Sequence, residues 1–225
     1  MILTKTYTLE DYALFCERMN DFGLFEYVDG LIVPVQSMKA VDDSLIDYVL
    51  SKDFEEKEIT TIFEMPTQKH DRIVTNLYGN LFIITKRLGL IIYSQATTVA
   101  IPELNRGRNP DIILISEKEE KRNKLHQILN PLAIFEVLSK STQAKDKSDK
   151  LTEYQQIESL QAYIIISQFE VQINVFQRLA KNKWEQEILN NLEDTFTLKF
   201  INTEIKLKDI YEGVVFEQTN EETKA

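Results

Sequence analysis

Apolar and polar positions along this chain switch between a helical and an extended period, and each switch marks an element. Leu9, Tyr12, Phe15, Cys16 and Met19 recur at helical spacing behind Thr8, an N-cap residue type, with Glu10 and Asp11 as acids in the first turn. Residues 25–35 read as a β-hairpin, because Asp29-Gly30 between β-rich flanks is a tight-turn signal. Residues 42–50 predict a short helix and residues 52–58 an acidic, loop-like stretch. Ile73, Leu77, Leu81 and Ile84 place a long helix over 70–88, stopped by Gly89. Strands are predicted at 90–94, 97–101 and 111–115, and the mixed-charge run 117–124 reads as a solvated loop or helix start. A continuous apolar strand over 131–138 precedes a helix over 146–157. Extended segments follow at 162–166, 171–177 and 184–189, then a pair around 196–200 and 204–207, then a short helical turn near Ile210. From Glu217 the chain is polar and acidic, the composition of a disordered tail.

This order of helices and strands predicts an α/β fold in which a mixed sheet carries helices on its faces, with extra strands at the C-terminal end. The unbroken apolar runs 112–115 and 132–138 predict central strands covered on both sides. No internal repeat and no Pro/Gly/Ser linker divides the 225 residues, so residues 1–216 are expected to form one domain, followed by the tail 217–225. No apolar run approaches the ~18 residues of a membrane span, and the N-terminus lacks the pattern of a signal peptide. A soluble cytoplasmic protein, with no membrane partner, is the expectation. Cys16 is the only cysteine and His70 and His126 the only histidines, which excludes a disulfide framework, a Cys-based zinc site and a His-rich centre. Any metal would be hard and oxygen-ligated, hence Mg²⁺ or Mn²⁺. The net charge of −10 argues against strong non-specific DNA affinity, although a local basic patch can engage nucleic acid on an acidic protein.

Candidate chemistry starts with Glu136, a carboxylate that follows Leu132-Ala133-Ile134-Phe135 where another apolar residue is expected. A buried carboxylate is costly unless paired or metal-bound, so Glu136 is either a ligand or the surface end of its strand. Asp111 opens a second apolar strand, and two acids on neighbouring strands can offer oxygens to a divalent cation from a rigid frame. Asp146, Lys150 and Tyr154 share one helix face. Lys150 can reach a metal-bound water or a phosphate oxygen, and the same spacing also describes a solvated Asp–Lys pair beside an amphipathic Tyr. His70, at the head of the long helix between Lys69 and Arg72, is a phosphate or metal-site neighbour or simply a first-turn polar residue. Glu26 is a third carboxylate or an exposed strand acid. Arg106 and Arg108, in what reads as the loop 105–109 just before Asp111, suit phosphate contact or form an ordinary basic loop.

At these residues the chain resembles the Uma2 family, also called DUF820, of the PD-(D/E)XK restriction-endonuclease-like superfamily. The matching pieces are Phe25-Glu26-Tyr27-Val28-Asp29-Gly30, then Met65-Pro66 leading to His70-Asp71-Arg72-Ile73-Val74 and Asn76-Leu77, then Pro110-Asp111. The longest is Phe135-Glu136-Val137-Leu138-Ser139 with Ser141, Thr142, Asp146, Lys150, Leu151 and Tyr154, and the set spans residues 8–178. The resemblance implies a restriction-endonuclease-like fold and Mg²⁺- or Mn²⁺-dependent endonuclease activity. Its substrate would be nucleic acid, DNA before RNA, and a homodimer is the superfamily expectation. Asp111 and Glu136 would be the metal acids, Lys150 the catalytic lysine and Glu26 the auxiliary acid. Two departures stand out. Leu138 occupies the position of the superfamily's lysine two residues after the Glu, with Lys150 as its migrated substitute, and residues 38–61 look like an insertion between Glu26 and His70. A nuclease-fold binding or assembly protein without activity is the alternative.

Overall fold

The computed structural model describes residues 5–35, 37, 39–59, 66–138 and 146–216, without the side chains of 58 and 146–148. The chain order is α1 (Leu9–Arg18), β1 (Phe25–Val28), β2 (Leu31–Pro34), α2 (Asp43–Leu50), α3 (Gln68–Leu88), β3 (Leu90–Ser94), β4 (Val99–Ile101), β5 (Arg106–Arg108), β6 (Ile112–Ser116), β7 (Ala133–Leu138), α4 (Asp146–Gln155), β8 (Ala162–Ser167), β9 (Ile173–Ala180), β10 (Lys183–Leu189), β11 (Thr195–Leu198), β12 (Thr203–Lys206) and α5 (Leu207–Ile210). Local chemistry sets several boundaries. Thr8 and Asp11 form a reciprocal capping box at α1. Thr67 caps α3 by accepting from the His70 amide, and Gly89 ends it in the left-handed conformation at φ 66°.

A six-stranded sheet, ordered β10-β9-β8-β7-β6-β3, forms the frame. Only the β7–β8 pair is parallel, with α4 as its crossover; the other four pairings are antiparallel. Both faces of β7 are buried, as its unbroken apolar run predicts. Ala133, Phe135 and Val137 join Ile73, Leu77 and Leu81 of α3 in one cluster. Ile134 and Leu138 join Tyr154 of α4, Ile157 and Leu160 on the other side. Glu136 shares the parity of Ile134 and Leu138, so it belongs to the α4 face.

A second sheet, ordered β2-β1-β5-β4, is antiparallel throughout and shares a third apolar cluster with α1 and α2, centred on Tyr12, Phe15, Phe25, Ile32, Ile46 and Val49. Here the structure corrects one expectation. Residues 105–109 are not simply a loop, because Arg106–Arg108 form β5, paired with Tyr27-Val28 on one side and with Val99–Ile101 on the other. Gly107 permits the close pairing: a Cβ there would lie 3.2 Å from Thr98 Cγ2. A two-stranded β11–β12 ribbon and α5 pack on the α3 side of the main sheet. Among the described residues no helix is long and apolar enough to cross a membrane. Met65, Ser139, Ser141, Thr142 and the expected tail 217–225 lie outside the described residues.

Candidate active site

The main sheet brings the two central acids together. The β6–β7 register pairs Ile112 with Phe135, so one step further places Asp111 opposite Glu136, on the same face. Asp111 is held on three sides. Its Oδ2 accepts a 2.6 Å hydrogen bond from the Val137 amide. Its Oδ1 accepts from the Gln95 side-chain amide and lies 3.2 Å from His70 Nε2. Glu136 Oε1 accepts a 3.0 Å bond from the Tyr154 hydroxyl and lies 3.4 Å from Lys150 Nζ. Lys150 Nζ is also 3.6 Å from Glu26 Oε1, so its ammonium sits between two carboxylates.

Glu26 reaches this place from the second sheet. Its Oε2 accepts a 2.7 Å bond from Arg108 Nη1, and its Oε1 a 3.2 Å bond from the Asn109 amide. The other edge of Arg108 is closed by Glu153, through Nε to Oε2 and Nη2 to Oε1, both at 2.8 Å. Arg106 also pairs with Glu153 through Nη1 and with Asp29 through Nε, the latter at 3.1 Å. Phosphate contact was expected of Arg106 and Arg108. Instead Arg108 is only 7% exposed and both its edges are taken by buried glutamates, which makes it an internal cation.

The electrostatics follow from this layout. Burial pushes the Glu136 carboxyl up to about 7; Lys150 opposes the rise, while the charges of Asp111 and Glu26 add to it. Burial acts on Glu26 in the same sense, yet Lys150 and Arg108 together hold its carboxyl below the usual range. Glu26 touches Arg108 and accepts from the Asn109 amide, whereas Glu136 has neither of these partners and faces two like charges. Burial pulls the His70 imidazolium down, but the hydrogen bond and charge of Asp111 outweigh it, so His70 is raised. Burial and the neighbouring Glu136 charge raise the Tyr154 phenol well above its ordinary value, which keeps it a donor to that carboxylate.

Of the residues expected from sequence, Asp111, Glu136, Lys150, Tyr154, His70 and Glu26 converge on one end of the main sheet. Asp146 begins α4, but its side chain lies outside the described residues. Leu138 sits two residues after Glu136 and is buried in the α4-side cluster, so the lysine of this site comes from the facing helix. Sequence reasoning missed Glu153 and Gln95. Glu153 lies in the polar run of α4, and its place one residue before Tyr154 carries no signal about its arginine partners 45 and 47 residues away.

The acids suit a particular kind of ion. Among the described residues no group of three or more His, Cys, Asp or Glu is placed to hold a metal, so a cation held by Asp111 and Glu136 would have two carboxylates and would have to complete its shell with other oxygens. That is the habit of Mg²⁺, which keeps several waters and takes one or two carboxylates together with substrate phosphate. A buried Glu136 repelled by two neighbouring acids is the environment a divalent cation relieves.

Comparison with known proteins bears on the family and the fold. The model of the Uma2 family, described as "Putative restriction endonuclease", matches residues 59–208. That region contains Asp111, Glu136 and Lys150, whereas Glu26 lies before it. The uncharacterized protein sll1609 of Synechocystis sp. is 34% identical over 116 residues, covering 51% of this chain and 66% of its own length. A second uncharacterized Synechocystis protein, slr1290, is 30% identical over 108 residues, covering 48% of this chain and 55% of its own. The matches thus span about two thirds and just over half of these relatives. The crystal structure of "a putative nuclease belonging to DUF820" from Anabaena variabilis shares the fold, with a TM-score of 0.58 at 15% identity over 85% of this chain and 91% of that one. The family match, spanning the sheet that carries both central acids, establishes that this chain belongs to the Uma2 family.

Proposed function

We propose that this protein is a nuclease that hydrolyses nucleic-acid phosphodiester bonds with Mg²⁺ or Mn²⁺, and that its substrate is DNA in preference to RNA. The observation that carries the reading is the juxtaposition of Asp111 and Glu136 across β6–β7 with Lys150 Nζ 3.4 Å from Glu136. A divalent cation on the two carboxylates supplies Lewis-acid polarisation of the phosphate and a more acidic attacking water. The residues do the rest. Tyr154 and the Val137 amide fix the two carboxylates in orientation. Lys150 presents N–H donors on the Glu136 side, where they meet a phosphate oxygen as negative charge builds on it. Glu26 shares the ammonium, so that Lys150 is not wholly committed to Glu136. His70, with Nε2 3.2 Å from Asp111 Oδ1, orients that acid from the first turn of α3. Arg106 and Arg108 are assigned no phosphate contact.

A second reading has an observation of its own. Both Asp111 oxygens already accept from protein donors, which satisfies the carboxylate without a cation and fits a nuclease-fold binding protein. The test is direct. Plasmid DNA and single-stranded RNA are incubated with the full chain and Mg²⁺ or Mn²⁺, beside Asp111→Asn and Glu136→Gln variants. Cleavage by the wild type that both variants lose supports the nuclease. No cleavage, together with no Mn²⁺ binding in calorimetry, overturns it in favour of the binding protein.

A further inference from the structure

We propose that Glu153 is a positioning residue of this site, acting through Arg108 and Glu26 on the catalytic lysine, a role that rests on the nuclease reading above. Glu153 is 3% exposed and lies on α4 three residues after Lys150 and one before Tyr154. Its carboxylate takes one whole edge of the Arg108 guanidinium, with both bonds at 2.8 Å. A guanidinium is planar and rigid, so a bidentate partner on one edge fixes where the remaining donor points. That donor, Nη1, meets Glu26 Oε2 at 2.7 Å, and the other oxygen of Glu26 stands 3.6 Å from Lys150 Nζ. The chain of contacts therefore leaves α4 at Glu153, crosses β5 and β1 of the second sheet, and returns to α4 at Lys150. Its consequence is specific. Glu26 divides the ammonium with Glu136, at 3.6 Å against 3.4 Å. Without Glu26 in place, Lys150 would close on Glu136 and sit where a cation and a phosphate oxygen must enter.

Arg106 reinforces the hub from the same strand by donating Nη1 to Glu153 while its Nε holds Asp29 in the hairpin turn. Both arginines thus approach one carboxylate from alternate positions of β5. A helix surface acid needing only solvation would not be enclosed in this way. The family match begins at residue 59, so two of these six residues, Glu26 and Asp29, are supplied by the N-terminal part of the chain. The second sheet is on this account part of the catalytic apparatus and not only a support for it.

The test uses Glu153→Gln, which keeps the shape but sets an amide donor against a guanidinium donor. If Glu153 acts through Lys150, turnover falls roughly 10–100-fold, the scale of a small misplacement of a catalytic group. The loss falls mainly on kcat, and Mn²⁺ affinity by calorimetry falls by a smaller factor, because Asp111 and Glu136 are untouched while the displaced ammonium competes with the cation for Glu136. In a Lys150→Met background the same substitution has no further effect on turnover, since the group it positions is gone. Equal losses in both backgrounds, or a loss of Mn²⁺ binding larger than the loss of turnover, would overturn the proposal. A crystal structure of Glu153→Gln decides the matter independently of activity. Lys150 Nζ is expected to leave Glu26 and approach Glu136; an unchanged Lys150 refutes the positioning role even if the wild type cuts nothing. An inert wild type whose lysine does move refutes the nuclease reading and upholds the coupling.

Discussion

The Asp111 carboxylate accepts a 2.6 Å hydrogen bond from the backbone amide of Val137, the residue that follows Glu136. One side chain therefore closes the end of the β6–β7 ladder and offers a candidate metal ligand. The two roles separate by substitution. Asp111→Ala leaves the buried Val137 amide unpaired and is expected to cost roughly 1–3 kcal/mol of stability. Asp111→Asn can still accept from that amide and should cost about 1 kcal/mol or less, while Mn²⁺ binding is lost in both. Urea denaturation and Mn²⁺ calorimetry on the two variants check this; equal destabilisation would mean that the Val137 bond contributes nothing.

Glu136 predicts a pH dependence of the metal-free fold. Its carboxyl stands at about 7 in the folded chain against an ordinary value of 4.5, so between these values the folded state holds a proton that the unfolded state has released. Stability from this group is full below the lower value and is lost as pH rises toward 7. Glu136→Gln removes the titration. In EDTA, the variant should gain on the wild type by an amount on the order of 2–3 kcal/mol between pH 4.5 and 8. Denaturation curves across that range measure the difference, and parallel stability profiles would show that Glu136 is not under this strain.

How far these features could be read in advance depended on whether their partners were near in sequence. The hairpin at Asp29-Gly30, the α3 stop at Gly89 and the apolar run of β7 announce themselves within a few residues, and the structure has them where the pattern predicts. Asp111 and Glu136 were visible for a related reason, because an acid at the edge of an apolar strand contradicts its neighbours. Strand β5 was not visible. Arg106-Gly107-Arg108 has no apolar alternation, since its side chains are satisfied by Glu26, Glu153 and Asp29, between 45 and 82 residues away. Lys150 was legible only through the family resemblance, because nothing in the polar run of α4 shows that its face turns inward.

Lys150 gives the prediction that best separates chemistry from metal binding. Lys150→Met keeps the stem and removes the ammonium that stands between Glu136 and Glu26. Loss of a donor aimed at developing charge is expected to lower kcat by roughly 10²–10³-fold. At pH 8.5, above the Glu136 value, proton competition is small, and removing a neighbouring positive charge should tighten Mn²⁺ binding. Calorimetry at that pH together with a cleavage assay reads both effects. Weaker binding with unchanged turnover would place Lys150 outside the chemistry.

Two glycines should respond to alanine with opposite signs, and the pair tests how firmly the second sheet is held. Gly30 adopts φ 84° in the hairpin turn, and an added Cβ would lie 2.7 Å from Thr6 Cβ and 2.9 Å from Thr6 Cγ2. Strain in the left-handed region and the clash act together, so Gly30→Ala is expected to destabilise by roughly 1–3 kcal/mol. Gly79 is exposed within α3, and a Cβ there meets nothing within 4 Å. Gly79→Ala should therefore stabilise by about 0.5–1 kcal/mol through helix propensity and a less flexible unfolded chain. Urea midpoints of the two variants give the signs. The Gly30 change should also lower turnover, because the same hairpin carries Glu26, whereas the Gly79 change should leave it alone. A Gly30→Ala protein that loses stability but keeps full turnover would show that the hairpin can shift without disturbing Glu26.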